Sequence, residues 1–343
     1  MANSAMADTS WTGRKRVEAV LAGQRPDRIP VSMWLHNFAR ERDPADLVAE
    51  SLRLQEKFEF DFFKPQSPAH SAPLLWGVEV SNPTRADDWP VLTKARVRNG
   101  EDLDGISRQP VTGMLADQIT VMRDVRKALG PDIPIVATIF SPMMTLSLMH
   151  AEGKPGALRL MQTHPKQLSK ALAAISDTLA DFVDQAMDAG VDGLFYGSNT
   201  VNRTEIDRQQ HDDFHAPYDG QILGAAGAGW MNILHICGPA VHAEFFVDYA
   251  PPIISWEQTA QNPTAPEMRA LTGRVVLTGA PAKPKFGTTS PEDLDRQVKA
   301  TIAEMDGQHL MIGPGCSINP GVDEALIGAV VDSVRDQQPG RSA

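Results

Sequence analysis

Cysteine is almost absent from this chain: Cys237 and Cys316 are the only two in 343 residues. That excludes a disulfide scaffold and fits a reducing compartment. No apolar run approaches the roughly 18–20 residues needed to cross a bilayer, so no membrane partner is expected. Basic charge is in deficit. Thirty-two Lys and Arg against 43 Asp and Glu leave a net charge of −11, the wrong sign for a partner made of phosphates. A local basic site for a small anion stays compatible with it. The opening MANSAMADTS has neither a basic n-region nor an apolar core. Residues 1–13 are therefore expected to form a disordered tail, and the protein to be cytoplasmic. Gly224–Gly229 is glycine-rich but lacks G-x-G-x-x-G spacing and precedes a strand, so it reads as a tight helix-to-strand passage and not a dinucleotide loop.

What is present is an alternation. Eight short apolar segments predict strands: Ile29–His36, Phe60–Gln66, Ile133–Ser141, Gly190–Gly197, Trp230–Cys237, Pro252–Glu257, Arg274–Gly279 and His309–Gly313. Between them, Asp43–Phe58, Pro165–Ala189, Thr289–Met305 and Asp323–Val334 carry apolar residues at helical spacing or helix-start signals. Near-continuous apolar strands separated by helices imply a parallel sheet covered on both faces. Eight such units point to one α/β domain, a single (β/α)8 TIM barrel over residues 14–338. A helix at Trp11–Leu21 is expected to extend it at the N-terminus. A long insertion at Ser67–Leu103, after the second strand, is expected to cap one mouth.

The fifth strand ends Ile233-Leu234-His235-Ile236-Cys237-Gly238-Pro239. Side chains alternate along a strand, so His235 and Cys237 face the same way. Both lie at the C-terminal end, where TIM barrels carry their active sites. Cys316 follows the eighth strand, and Glu257 ends the sixth. One imidazole and two thiolates make a three-ligand Zn2+ site with a fourth position open to substrate, water or Glu257. The plainer reading is that the two cysteines are inert buried thiols. Trp34, His36 and Asn37, with Tyr196 and Asn199, are further pocket candidates or else packing. Pro142–Met149 reads as core or pocket wall, and His211–His215 as a solvated helix face and not a second metal cluster. Lys283 and Lys285 either attract an anionic group or are exposed loop charges.

From Arg14 onward the chain resembles the uroporphyrinogen decarboxylase superfamily. The resemblance is carried by Arg16–Val31, by Phe140–Leu146 with Glu152-Gly153, by Thr278-Gly279-Ala280, and by Gly313–Gly321. The superfamily holds decarboxylases and corrinoid-linked methyltransferases. Decarboxylases carry an Arg-rich segment after the first strand, where this chain has Met33–Arg40. Their acid after the second strand is missing from Lys64-Pro65-Gln66-Ser67-Pro68, and their third-strand tyrosine falls at Met149. Their glycine-flanked histidine after the eighth strand falls at Cys316.

The methyltransferase branch uses H-x-C and a distant Cys as zinc ligands, which His235, Cys237 and Cys316 match one for one. The spacing is also similar to the catalytic barrel of cobalamin-independent methionine synthase, whose intervening glutamate would fall at Glu257. The resemblance thus implies zinc-dependent methyl transfer between a corrinoid such as methyl-cobalamin and a thiol or other heteroatom, with Glu257, His36, Tyr196 and Asn199 around the site. The corrinoid-binding Asp-x-His-x-x-Gly segment is absent, so a separate corrinoid protein or free cobalamin is the expected partner. Coenzyme M is the acceptor in part of the family; donor, acceptor and direction stay open, and a homodimer is compatible. The alternatives are decarboxylation and a non-catalytic barrel that captures zinc or thiols.

Overall fold

The computed structural model describes residues 11–281 and 285–337; most of the expected tail, and Lys283, lie outside them. Within the insertion, β1 (Glu79–Val80) and β2 (Leu92–Lys94) pair antiparallel. The remaining strands are β3 (Val136–Phe140), β4 (Gly193–Ser198), β5 (Ile233–Ile236), β6 (Ile253–Trp256), β7 (Val275–Ala280) and β8 (Leu310–Pro314). They form one parallel sheet in chain order.

The first two sequence-predicted strands close this sheet into a barrel by isolated bridges and not by continuous ladders. Val31 and Leu35 bridge Ile312 and Ile318, and Phe63 bridges Ile135, all parallel. The Asp61 N–H donates to the Val31 carbonyl at 2.9 Å and joins the two segments. Pro30 and Pro65 lack the N–H a ladder needs. The Val31 N–H is also taken, at 2.9 Å, by the Asp61 carboxylate.

Side-chain parity sorts the apolar residues into two cores. Trp34, Phe62, Val136, Phe195, Ile233, Ile253, Leu277 and Met311 fill the barrel. Val17 and Val20 of the helix Gly13–Leu21 close its N-terminal end. Their outward-facing neighbours, among them Tyr196, Leu234, Ile254, Val276 and Ile312, pack under the helices.

The expected helices form as Pro44–Phe58, Pro165–Asp188, Pro291–Glu304 and Glu324–Arg335. Ser290 caps the third of these by accepting from the Asp293 N–H at 3.1 Å. Gly113–Leu129 is a further long helix. Pro142–Met149 is a short buried helix, in keeping with its reading as core or wall. His211 and His215 correct the sequence reading: both are buried, at 1% exposure, His211 against Phe245, Phe246 and Tyr249 and His215 stacked on His211, and neither lies on a solvated face. Lys285 is exposed. In the insertion, the Trp89 ring lies 4.7 Å from Phe38, two residues beyond His36, and so covers part of the C-terminal rim. No helix among the described residues is long and apolar enough to cross a membrane.

Candidate metal centre

β5 delivers His235 to the barrel interior, two residues beyond Ile233, and Cys237 follows on the same face. The Cys237 N–H donates to the Ser198 carbonyl at 2.8 Å and extends the β4–β5 ladder through the ligand position. The chain then turns at Gly238, with φ 127°; a Cβ there would meet Asn202 Oδ1 at 2.7 Å, so both backbone and space demand glycine. Cys316 is held from both sides. The Gly315 N–H donates to the Ala280 carbonyl at 3.1 Å, and the Ile318 N–H to the Trp34 carbonyl at 3.0 Å.

These anchors place Cys237 Sγ 3.6 Å from Cys316 Sγ. The candidate ligand atoms of His235, Cys237 and Cys316 all lie within 4.8 Å of one another. Two sulfurs on one tetrahedral zinc with Zn–S of about 2.3 Å stand about 3.8 Å apart. The donor set therefore fits the ion in both chemistry and spacing. His235 is buried, its Nδ1 lies 3.2 Å from Ser255 Oγ, and its ring stacks on Phe195 with centroids 4.9 Å apart. A hydroxyl at Nδ1 fixes the ring and leaves Nε2 for a ligand role.

The same parity brings other groups to this mouth. Lys64 and Gln66 follow Phe62 on the inner face of the second segment, and the Lys64 ammonium donates to Gln66 Oε1 at 2.8 Å. It lies 5.0 Å from the Phe195 ring centroid and 5.7 Å from that of Trp34. Burial lowers the Lys64 pKa to about 8, while Glu41 and Cys316 oppose the fall by their negative charge. Trp34 Nε1, Gln66 Nε2, Thr138 Oγ1 and Asn199 Oδ1 are buried with no hydrogen-bond partner among the described residues. Unpaired polar atoms on the inner ends of four strand segments are what a ligand pocket presents before it is filled.

The remaining sequence-predicted residues divide. Glu257 follows β6 at an inward position and is half-buried, but its carboxylate is not part of the three-residue group. His36 stands at the rim with Nδ1 2.7 Å from Glu41 Oε1 and its ring stacked on Phe38. The Asn37 N–H also donates to that carboxylate oxygen, at 2.8 Å. The Asn199 carbonyl accepts from Lys154 Nζ at 3.2 Å. Tyr196 is not brought to the site. Its neighbour Phe195 faces inward, so Tyr196 faces the helices, where its hydroxyl donates to Asp219. Glu41, Phe195 and Ser255 escaped sequence reading, and Lys64 was read only for the acid missing from its segment. The available signal was a lone lysine inside the apolar run Phe60–Gln66, and a serine two positions after inward Ile253.

Fold and site together define a parallel α/β barrel carrying an imidazole and two thiols at the C-terminal ends of its strands. The family profile of uroporphyrinogen decarboxylase (URO-D) matches residues 12–337, and the chain belongs to that family. A methyltransferase from Methanosarcina mazei has a similar structure, with a TM-score of 0.76 at 16% identity, covering 95% of this chain and 99% of that one. A B12-independent methionine synthase from Shewanella sp. W3-18-1, in complex with selenomethionine, aligns with a TM-score of 0.62 at 13% identity, covering 90% and 96%. At these identities the likeness is one of fold. No curated protein sequence matches the chain.

Proposed function

We propose that this protein is a zinc-dependent methyltransferase that moves a methyl group between a corrinoid and a thiol or other heteroatom substrate. The observation that carries the reading is the 3.6 Å separation of Cys237 Sγ and Cys316 Sγ beside His235, at the mouth of the barrel. Zinc bound there supplies Lewis acidity, which stabilises a thiolate at neutral pH or polarises a methylated heteroatom as leaving group.

The chain's own residues do the rest. His235, Cys237 and Cys316 hold the ion, and Ser255 orients the imidazole. Three protein ligands leave one position open, the arrangement of catalytic and not structural zinc. In this reading Glu257, inward and half-buried beyond β6, would fill that position until substrate arrives. Trp34 and Phe195, buried and packed edge to face at 5.2 Å, keep water out from below. His36, fixed by Glu41, and Asn199 line the rim, where a free corrinoid or one carried by a separate protein approaches. The two methyltransferase-type neighbours support the reading through their fold. Decarboxylation, the family's other chemistry, is disfavoured because the region after the second segment offers Lys64 and Gln66 where that chemistry uses an acid.

The test is elemental analysis of freshly purified protein beside Cys316→Ala. About one zinc per chain, absent from the variant, establishes the site. Turnover of methyl-cobalamin with a panel of thiols then separates catalysis from mere capture. No zinc in either protein, even after reconstitution, would sink the proposal.

A further inference from the structure

Three histidines lie beside carboxylates, and they are not equivalent. His242 has Nδ1 2.9 Å from Glu244 Oε1 and Nε2 3.1 Å from the Ile206 carbonyl oxygen, so both its nitrogens face acceptors. His211 has Nδ1 3.2 Å from Asp212 Oδ1 and Nε2 3.2 Å from the Tyr249 hydroxyl, away from the barrel mouth. His36 is the third. Its Nδ1 lies 2.7 Å from Glu41 Oε1, which also accepts from the Asn37 N–H at 2.8 Å. An ionised carboxylate has no hydrogen to give, so Nδ1 is the donor and Nε2 keeps the lone pair. The position is as specific as the tautomer. Leu35 bridges Ile318, and the Ile318 N–H donates to the Trp34 carbonyl at 3.0 Å, which ties the first segment to the loop carrying Cys316. Trp34 fills the barrel. His36 is the next inward position after it, about 7 Å nearer the mouth by strand spacing.

The support behind Glu41 is charge-balanced. The small cavity between the first two segments and the helix Pro44–Phe58 is lined by four charged residues: Arg40, Glu41, Glu50 and Lys64. Arg40 is committed to Glu50 and Asp46. Lys64 supplies the opposite charge that buried Glu41 needs. Burial draws Lys64 toward losing its proton, and the negative charges of Glu41 and then Cys316 oppose that loss. We infer that His36 is the proton-transfer residue of this site. Glu41 fixes its Nδ1–H tautomer, and Nε2 takes the proton of the heteroatom that becomes methylated, or returns it in the reverse direction. The inference rests on the methyl-transfer reading above and holds for any acceptor X–H, whichever heteroatom X is. In the forward sense the X–H bond breaks and leaves its electron pair on X. The X–C bond forms from that pair, the cobalt–carbon pair stays on cobalt, and the proton passes from Nε2 to buffer. His36 is thus a catalytic residue, and Glu41 a positioning residue that acts through it.

Two readouts test this, one of them free of turnover. Nitrogen-15 shifts of labelled histidine report the tautomer in zinc-loaded and zinc-free protein alike, with the His36 signals assigned by their loss in His36→Ala. The expected result is the Nδ1–H form in the wild type and a mixture in Glu41→Gln, whose amide can accept or donate. The second readout is methyl transfer from methyl-cobalamin to 2-mercaptoethanol. His36→Ala should lower kcat about 100-fold, the lower end for a positioned acid–base group, with KM little changed and zinc retained. Free imidazole should restore at least about a tenth of the wild-type rate, the His36→Ala gap leaving it room. Glu41→Gln should lose about tenfold, and His242→Gln nothing. A wild-type proton on Nε2, an undiminished rate in His36→Ala, or a loss that imidazole does not relieve would overturn the role. If His36→Ala loses its zinc or its fold, His36 is a structural piece of the rim and the role also falls. A zinc-loaded wild type that transfers no methyl group strikes the methyl-transfer reading itself.

Discussion

His235 and His211 are both buried imidazoles with a hydroxyl nearby, yet they stand on opposite sides of the same barrel wall. His235 points inward beside Cys237 and Cys316, with Ser255 at one nitrogen. His211 lies in the helix layer, where its Nε2 is 3.2 Å from the Tyr249 hydroxyl. That hydroxyl donates to Asp219 Oδ2 at 2.7 Å, and Tyr196 supplies the other oxygen of the same carboxylate. In the outer cluster each oxygen of the Asp219 carboxylate has its donor, so that carboxylate is satisfied. In the inner one, an imidazole and two thiols converge within 4.8 Å of one another, and the proposed reading gives them a fourth position for a ligand. The difference teaches that clustering of titratable groups is not itself a functional sign; unfilled coordination on the side a ligand can reach is.

The comparison breaks most visibly if each cluster is disarmed in turn. Asp219→Ala strips the acceptor from two buried tyrosines and is expected to cost about 3 kcal/mol of stability, while leaving zinc content unchanged. Cys237→Ala is expected to abolish zinc binding, yet to change the stability of the metal-free protein by less than about 1 kcal/mol. Chemical denaturation and elemental analysis of both variants decide the matter. Metal lost from folded Asp219→Ala, or collapse of metal-free Cys237→Ala, would dissolve the division of labour.

The outer cluster also has a pH signature, in which two groups oppose each other. Burial, with His211 as a secondary cause, holds His215 down at about 3. The unfolded chain takes up that proton below about 6.5, so this group costs stability as pH falls from 6.5 toward 3. Burial raises Asp219 to about 7. The native state then keeps a proton that the unfolded chain has released, and this group adds stability as pH falls from 7 toward 3.8. Each slope approaches about 1.4 kcal/mol per pH unit, and in the shared window they largely cancel. Both ring nitrogens of His215 lack hydrogen-bond partners among the described residues, so His215→Leu orphans none of them. The variant's melting temperature should rise from pH 7 to pH 5 while the wild type's stays nearly flat. Parallel profiles for the two proteins would remove His215 from the account.

Much of this was legible in the chain itself, and the gaps have physical causes. The His235–Cys237 pair needed only strand parity, and Cys316 only the placement of active sites at strand C-termini. The α/β barrel followed from the alternation of segments. The first two strands reduced to bridges because Pro30 and Pro65 deny the ladder its donors, an effect visible in sequence but outweighed there by hydropathy. Tyr196 was misplaced because Gly190–Gly197 is apolar on both faces and shows no alternation from which to read its direction. His211 and His215 looked solvated beside Asp212 and Asp213. The cover of His211 comes from Phe245, Phe246 and Tyr249, more than thirty positions away, which no local pattern contains. Lys64 was read for the acid it replaces and not for the charge it brings.

The finest division within the inner site concerns Ser255, which touches His235 but has no place among the three donors. Its hydroxyl lies 3.2 Å from Nδ1, and removing it frees the imidazole to rotate or to present the other tautomer. Loss of such an outer partner typically costs 10–100-fold in metal affinity. Here the cost should be near the lower end, about tenfold, because stacking on Phe195 at 4.9 Å still restrains the ring. Ser255→Ala should therefore retain zinc as purified and surrender it to a competing chelator at about tenfold lower concentration, with melting of the metal-free protein unchanged. A variant that holds zinc as tightly as the wild type would show that Phe195 alone orients His235, and would move the second support of the site from β6 to β4.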